Sequence, residues 1–184
     1  MRAISLSAVL ALLVVAAGVW AADESGTVTV RSVHMCCGAC VSGAKDALDG
    51  IDGVSDAKAD VNSKSVIFSA KDEKAAQKGI DALAEHGFFG KAAFGKKDLS
   101  FPDLGIKKGE KRDNVTFTGI HLCCGACKKA AQEALTKLDG LSSMDIDAAT
   151  GTIKLNGGGL IVQDAANLLQ KAGFYGKLEK PAKK

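Results

Sequence analysis

The phrase VHMCCGAC at residues 33–40 returns, changed at two positions, as IHLCCGAC at residues 120–127, and the two copies hold all six cysteines of the chain. Whatever the chain folds into must build the same loop twice. Cys124 lies 87 positions after Cys37, and at that offset His34 coincides with His121, Leu48 with Leu135, Asp52-Gly53 with Asp139-Gly140 and Asp60 with Asp147. Gly87-Phe88-Phe89-Gly90-Lys91 matches Gly173-Phe174-Tyr175-Gly176-Lys177 at an offset one residue shorter, as a one-residue loop deletion would produce. A period this long means two tandem domains rather than a solenoid.

Both copies carry the same periodicities. In the first, Val28 and Val30 alternate with polar residues as a strand entering the cysteine phrase. Val41, Ala44 and Leu48 then recur at helical spacing. Residues 54–61 and 65–70 alternate as a hairpin around Asn62-Ser63. Residues 73–86 form a helix with Ala76, Ile80 and Leu83 inward, and a short strand follows near 91–94. The second copy predicts strand 115–122, helix 126–138, hairpin strands 141–146 and 152–155, helix 161–172 and strand 175–178. The order β-α-β-β-α-β predicts an α+β, ferredoxin-like fold, built twice, with two helices on one face of an antiparallel sheet. The expected division is a first domain at 26–95, a linker at 96–113, a second domain at 114–179 and a basic tail at 180–184. Residues 96–113 (KKDLSFPDLGIKKGEKRD) mix Pro, Gly and charge without a period, as linkers do. Phe101, Leu104 and Ile106 give that linker a face that can pack. Aromatic residues are 5% of the chain, so each half fills only a small core.

Residues 1–21 have one Arg, a long apolar run and a small-residue site at Val19-Trp20-Ala21, the form of a secretory signal peptide. The competing reading is an uncleaved membrane anchor. Cleavage would leave a periplasmic or secreted protein with no membrane attachment, in a compartment where disulfides persist. The net charge is only +3, which gives no reason to expect nucleic acid or an anionic surface as a partner.

Cys37-x-x-Cys40 and Cys124-x-x-Cys127 each stand where a strand gives way to a helix. The unpaired N–H groups and positive dipole end there favour thiolate over thiol. Two thiolates at one point suit a soft ion: Cu(I), Hg(II), Zn(II) or Cd(II). A lone C-x-x-C is weak evidence, but one that recurs at the same junction of a repeated unit is strong.

A strand, then M-x-C-x-x-C, then a helix within a βαββαβ unit resembles the heavy-metal-associated domain, the family of the mercuric periplasmic protein, copper chaperones and the N-terminal modules of metal-pumping ATPases. The resemblance covers both copies. It implies Cys37 and Cys40, and Cys124 and Cys127, as ligands of a soft metal ion, with Cu(I) favoured and Hg(II) or Zn(II) as alternatives. It also implies exchange of the ion with a donor or acceptor protein. Met35 takes the family's inward Met position, replaced by Leu122 in the second copy. Phe88-Phe89 and Phe174-Tyr175 are implied as apolar shielding beside the sites. Two departures occur in both copies. His34 and His121 stand where the family has Gly, and Cys36 and Cys123 precede the first ligand. Each loop thus offers three thiols and an imidazole. The added cysteines are candidate ligands for a trigonal Cu(I) site, a Cys₃His Zn(II) site, or a multi-copper cluster shared by opposed loops. Strand alternation turns His34 and Cys36 away from Met35, so the bland reading of each imidazole is a surface side chain.

Two rival readings use the same residues. A thiol–disulfide redox protein also places C-x-x-C at a helix N-terminus, but this element order lacks the thioredoxin context, and no proline faces the motif. Disulfide staples tie distant segments together, whereas these cysteines crowd into two loops and would constrain little. Conventional catalysis has no motif, and the expectation is a protein that is not an enzyme. Gly157-Gly158-Gly159 lacks the Lys-Ser/Thr of a phosphate loop and reads as a flexible strand–helix turn.

Overall fold

The computed structural model describes residues 26–180. The segment read as a signal peptide and nearly all of the basic tail lie outside those residues. No helix among the described residues is long and apolar enough to cross a membrane.

The first unit comprises β1 (Gly26–Arg31), α1 (Gly38–Leu48), β2 (Val54–Asp60), β3 (Ser65–Ala70), α2 (Glu73–Glu85), β4 (Lys91–Phe94) and β5 (Lys97–Leu99). The second comprises β6 (Lys111–Thr118), α3 (Gly125–Leu135), β7 (Leu141–Asp147), β8 (Thr152–Ile161), α4 (Val162–Lys171) and β9 (Lys177–Leu178). The sheets are ordered β2-β3-β1-β4-β5 and β7-β8-β6-β9, with antiparallel neighbours. In both sheets the strand that leads to the cysteine loop is flanked on each side. This is the ferredoxin-like arrangement.

Alternation decides which faces are buried. Val28 and Val30 of β1 point inward with Val66, Phe68 and Ala70 of β3. Val115 and Phe117 of β6 do so with Ile153 and Leu155 of β8. α2 covers the first sheet with Ala76, Ile80 and Leu83, as its spacing predicted. In α1 the inward stripe starts one residue earlier than expected. Cys40, Ala44, Ala47 and Leu48 are buried, whereas Val41 is half-buried. The buried side chains of the two units join in one contiguous core.

Several boundaries differ from the sequence reading. β6 starts at Lys111 and stops at Thr118, because Gly119 turns the chain with φ +71°. Ser32 ends β1 the same way with φ 62°. Lys97–Leu99, inside the segment read as linker, pairs with β4. The Phe101 ring packs at a tilt against Phe89, and the Tyr175 hydroxyl donates to the Pro102 carbonyl at 3.2 Å. The linker therefore lies against both units. The glycine run is not a strand–helix turn: β8 continues through it to Ile161, and Leu160 and Ile161 pair with Arg112 and Lys111. A Cβ at Gly157 would meet the Gly140 carbonyl oxygen at 2.1 Å, so close approach of two backbones, rather than flexibility, calls for glycine.

Candidate metal centre

The two units meet through the two loops whose repetition marked their ends. Phe88 and Phe174 form an antiparallel bridge. The Phe89 N–H donates to the Gly173 carbonyl at 3.1 Å, and the Tyr175 N–H donates to the Gly87 carbonyl at 3.0 Å. The His34 N–H also donates to the Gly173 carbonyl. Gly87 and Gly173 carry φ of +83° and +88°, and a Cβ on either would sit about 2 Å from the His121 or His34 backbone nitrogen. Exchanging the two units maps the Phe88–Phe174 bridge onto itself and the Phe89 and Tyr175 bonds onto one another, as an approximate twofold axis would.

That axis sets the histidines and phenylalanines. His34 stacks on Phe174 with ring centroids 4.3 Å apart, and His121 stacks on Phe88 at 4.4 Å. Each imidazole thus packs on the opposite unit. Nε2 of both rings is buried without a hydrogen-bond partner. Burial holds His34 below the ordinary imidazole range, with the Lys64 charge second. Burial and then His86 do the same for His121. The rings are neutral interface side chains. They are neither exposed, as the bland reading held, nor members of the sulfur cluster. The phenylalanines implied as shielding beside the metal loops cover the opposite histidines.

The same axis brings the two cysteine loops face to face. Cys37 and Cys124 are the N-cap residues of α1 and α3, and neither side chain caps its helix. Cys40 and Cys127 stand in the first helical turns and are fully buried. Cys36 and Cys123 lie just before the caps, with Met35 and Leu122 buried beneath the loops as the resemblance implied. All six sulfurs converge, and all six cysteines are free thiols. Cys36 Sγ lies 3.4 Å from both Cys124 Sγ and Cys127 Sγ. Cys123 Sγ lies 3.4 Å from Cys40 Sγ and 3.7 Å from Cys37 Sγ. Cys40 and Cys127 are 3.9 Å apart. The loops therefore cover one another. Cys123 alone is exposed, and Cys36, Cys37 and Cys124 are half-buried.

Packing sulfurs this closely limits how many can ionise. Two thiolates 3.4 Å apart repel by about 5 kcal/mol at an effective dielectric of about 20. Backbone hydrogen bonding at the Cys127 end of the helix turn, then the Cys36 thiol, lowers Cys124 to about 6. Burial alone would raise Cys40, but hydrogen bonds from the Cys36 backbone and neighbouring thiols bring it below its ordinary value. Burial pushes Cys36 and Cys123 far up. Cys127 also rises, first through burial and further through the Cys40 charge, against the expectation that both C-x-x-C sulfurs of each loop would be lowered. The six sulfurs by themselves are a mixture of thiolate and thiol, and bound cations would relieve their repulsion.

Residues 29–88 match the family model of the heavy-metal-associated domain. The first unit is a heavy-metal-associated domain. The second repeats its strand and helix order and its cysteine loop, so the architecture is tandem and heavy-metal-associated-like. No curated protein matches the chain. Among solved structures, the chain is similar to the N-terminal soluble domains of Bacillus subtilis CopA in solution, at 18% identity over 85% of this chain and 95% of that one, with a TM-score of 0.31. A second structure, the water-soluble region of the P-type ATPase CopA from Bacillus subtilis, matches at 15% identity over 88% and 98%, with a TM-score of 0.30.

Proposed function

We propose that the chain is an exported soft-metal-binding protein that sequesters ions or hands them to a partner protein, without catalytic turnover. The observation that carries this reading is the convergence of six thiols on one point between two helix N-termini, with no carboxylate in the groups they form. An all-thiol donor set favours Cu(I), with Hg(II) and Zn(II) behind it. The half-buried Cys37 and Cys124 and the exposed Cys123 give an incoming ligand a place to attack, so an ion can leave one sulfur at a time. Export rests on the sequence of residues 1–21 alone.

The test is anaerobic Cu(I) titration of the reduced chain against a competing chelator. The double variant Cys37→Ser/Cys124→Ser should lose at least 100-fold in affinity, on the order of 3 kcal/mol. Full binding by that variant would refute the assignment. The alternative, thiol–disulfide exchange, draws on the inter-unit sulfur contacts of 3.4 Å. It predicts that protein recovered from its export compartment is metal-free and oxidised.

A further inference from the structure

We infer that the six cysteines build a single polynuclear Cu(I)–thiolate centre shared by both units, with Cys36 and Cys123 as its bridging hubs, rather than two independent one-ion sites. The inference rests on the soft-metal reading above and adds nuclearity, sharing and the role of the extra thiols.

The positions of the sulfurs carry it. Four of them form a ring: Cys37 to Cys40 at 3.9 Å, Cys40 to Cys127 at 3.9 Å, Cys127 to Cys124 at 3.7 Å, and Cys124 back to Cys37 within 4.8 Å. Cys36 and Cys123 each lie within 4.8 Å of every ring member and of each other. The six sulfurs thus mark the corners of a distorted octahedron, with the two extra cysteines as opposite apices. The apices also tie the units together. Cys36 is closer to Cys124 and Cys127, at 3.4 Å, than to Cys40 of its own loop, at 3.7 Å. Cys123 is closer to Cys40, at 3.4 Å, than to Cys127 of its own loop, at 3.6 Å. A one-ion site in each loop has no use for these crossings.

Coordination arithmetic fits the same cage. Alternate faces of a sulfur octahedron supply about four three-sulfur sites in which each sulfur serves two ions, which suits three-coordinate Cu(I) bound by soft thiolates. Four-coordinate Zn(II) would fill the same six sulfurs with only about two ions joined by two bridging thiolates, so the number of ions bound separates the two metals. About four monovalent ions on six thiolates leave a net charge of about −2, facing the N-termini of α1 and α3. Loading is ligand exchange. Each ion arrives as Cu(I), the remaining thiols release their protons to solvent, and no electron moves.

The experiment is anaerobic titration of the full reduced chain with chelator-buffered Cu(I), read by native mass spectrometry and by X-ray absorption at the copper edge. The expected result is a jump from the metal-free chain to one with about four ions, few partly loaded species, and a copper–copper scattering shell. Cys36→Ser/Cys123→Ser should take up about two ions independently and lose that shell. The shell is read on the unaltered chain, so a variant that fails to fold does not spoil the test. Two ions per unaltered chain with no copper–copper shell would overturn the inference and leave the soft-metal reading intact. So would a hub variant that keeps the full load and the shell, or Zn(II) displacing Cu(I) at comparable concentration. A reduced, folded chain that takes up no Cu(I) would overturn both.

Discussion

The two units share a fold but divide its interior differently. Phe68 of the first sheet packs against Gly79 of α2, where a Cβ would meet the ring at 2.6 Å. The corresponding positions of the second unit are Leu155 and Ala165, both fully buried. The largest-with-smallest pairing of Phe with Gly in one core becomes the less extreme pairing of Leu with Ala in the other. Met35 and Leu122 exchange in the same spirit, and both are buried. Helix starts differ too: the Asp72 side chain accepts from the Ala75 N–H, whereas Ile161 at the start of α4 has no side-chain cap. At the contact between units the residues instead repeat: the six cysteines, the two histidines, Phe88 with Phe174, and Gly87 with Gly173. Within a core, volume can be redistributed as long as the total is kept. Across an approximate twofold axis, a change on one side meets an unchanged partner on the other.

This comparison breaks most visibly at the paired glycines. Gly87→Ala and Gly173→Ala should each cost about 3–5 kcal/mol, from a left-handed φ and a collision with backbone that cannot move aside. Gly95→Ala, with φ +58° and open space around it, should pay strain alone, about 1 kcal/mol. Urea denaturation of the metal-free protein ranks the three. Equal costs would mean that the units do not meet at this face.

A smaller effect tests the redistribution of volume. Gly79→Ala should destabilise by about 1–3 kcal/mol through overpacking against Phe68, reduced by about 1 kcal/mol of helix propensity. Adding Phe68→Leu recreates the second unit's pair and should recover most of the loss. If the double variant is no better than the single one, the cores are not interchangeable.

The smallest effect concerns a difference that reaches the interface. A Cβ at Gly43 of α1 would lie 2.8 Å from Cε1 of the His121 ring, while the matching position in α3 is Ala130. Gly43→Ala should leave stability within about 1 kcal/mol, because the ring can shift and the helix gains propensity. It should move the His121 ring resonances in an NMR spectrum and leave those of His34 in place.

Much of this was legible along the chain. The repeat announced two units, alternation at Val28 and Val30 announced β1, and the stripe Ala76, Ile80, Leu83 announced α2. Each of these signals is local, and burial follows from it directly. Other features depended on partners distant in sequence. The glycine run at 157–159 looks like a breaker, but the approach of Gly140 holds it in a strand. Lys97–Leu99 became a strand only because β4 offered an open edge. The phenylalanine loops were readable as apolar cover, but not as each other's partners.

The division between sequence and structure runs through the metal centre itself. Donor chemistry was fixed by the chain alone: six soft thiols, set out at two helix starts by C-C-x-x-C spacing. Only the tertiary structure placed both loops at one point, because left-handed turns at Gly87 and Gly173 let two backbones bridge at Phe88 and Phe174. It also assigned the histidines, which the sequence offered as ligands, to the phenylalanines of the opposite unit. A side chain's neighbours across an interface are set by how two surfaces dock, and no local period records that.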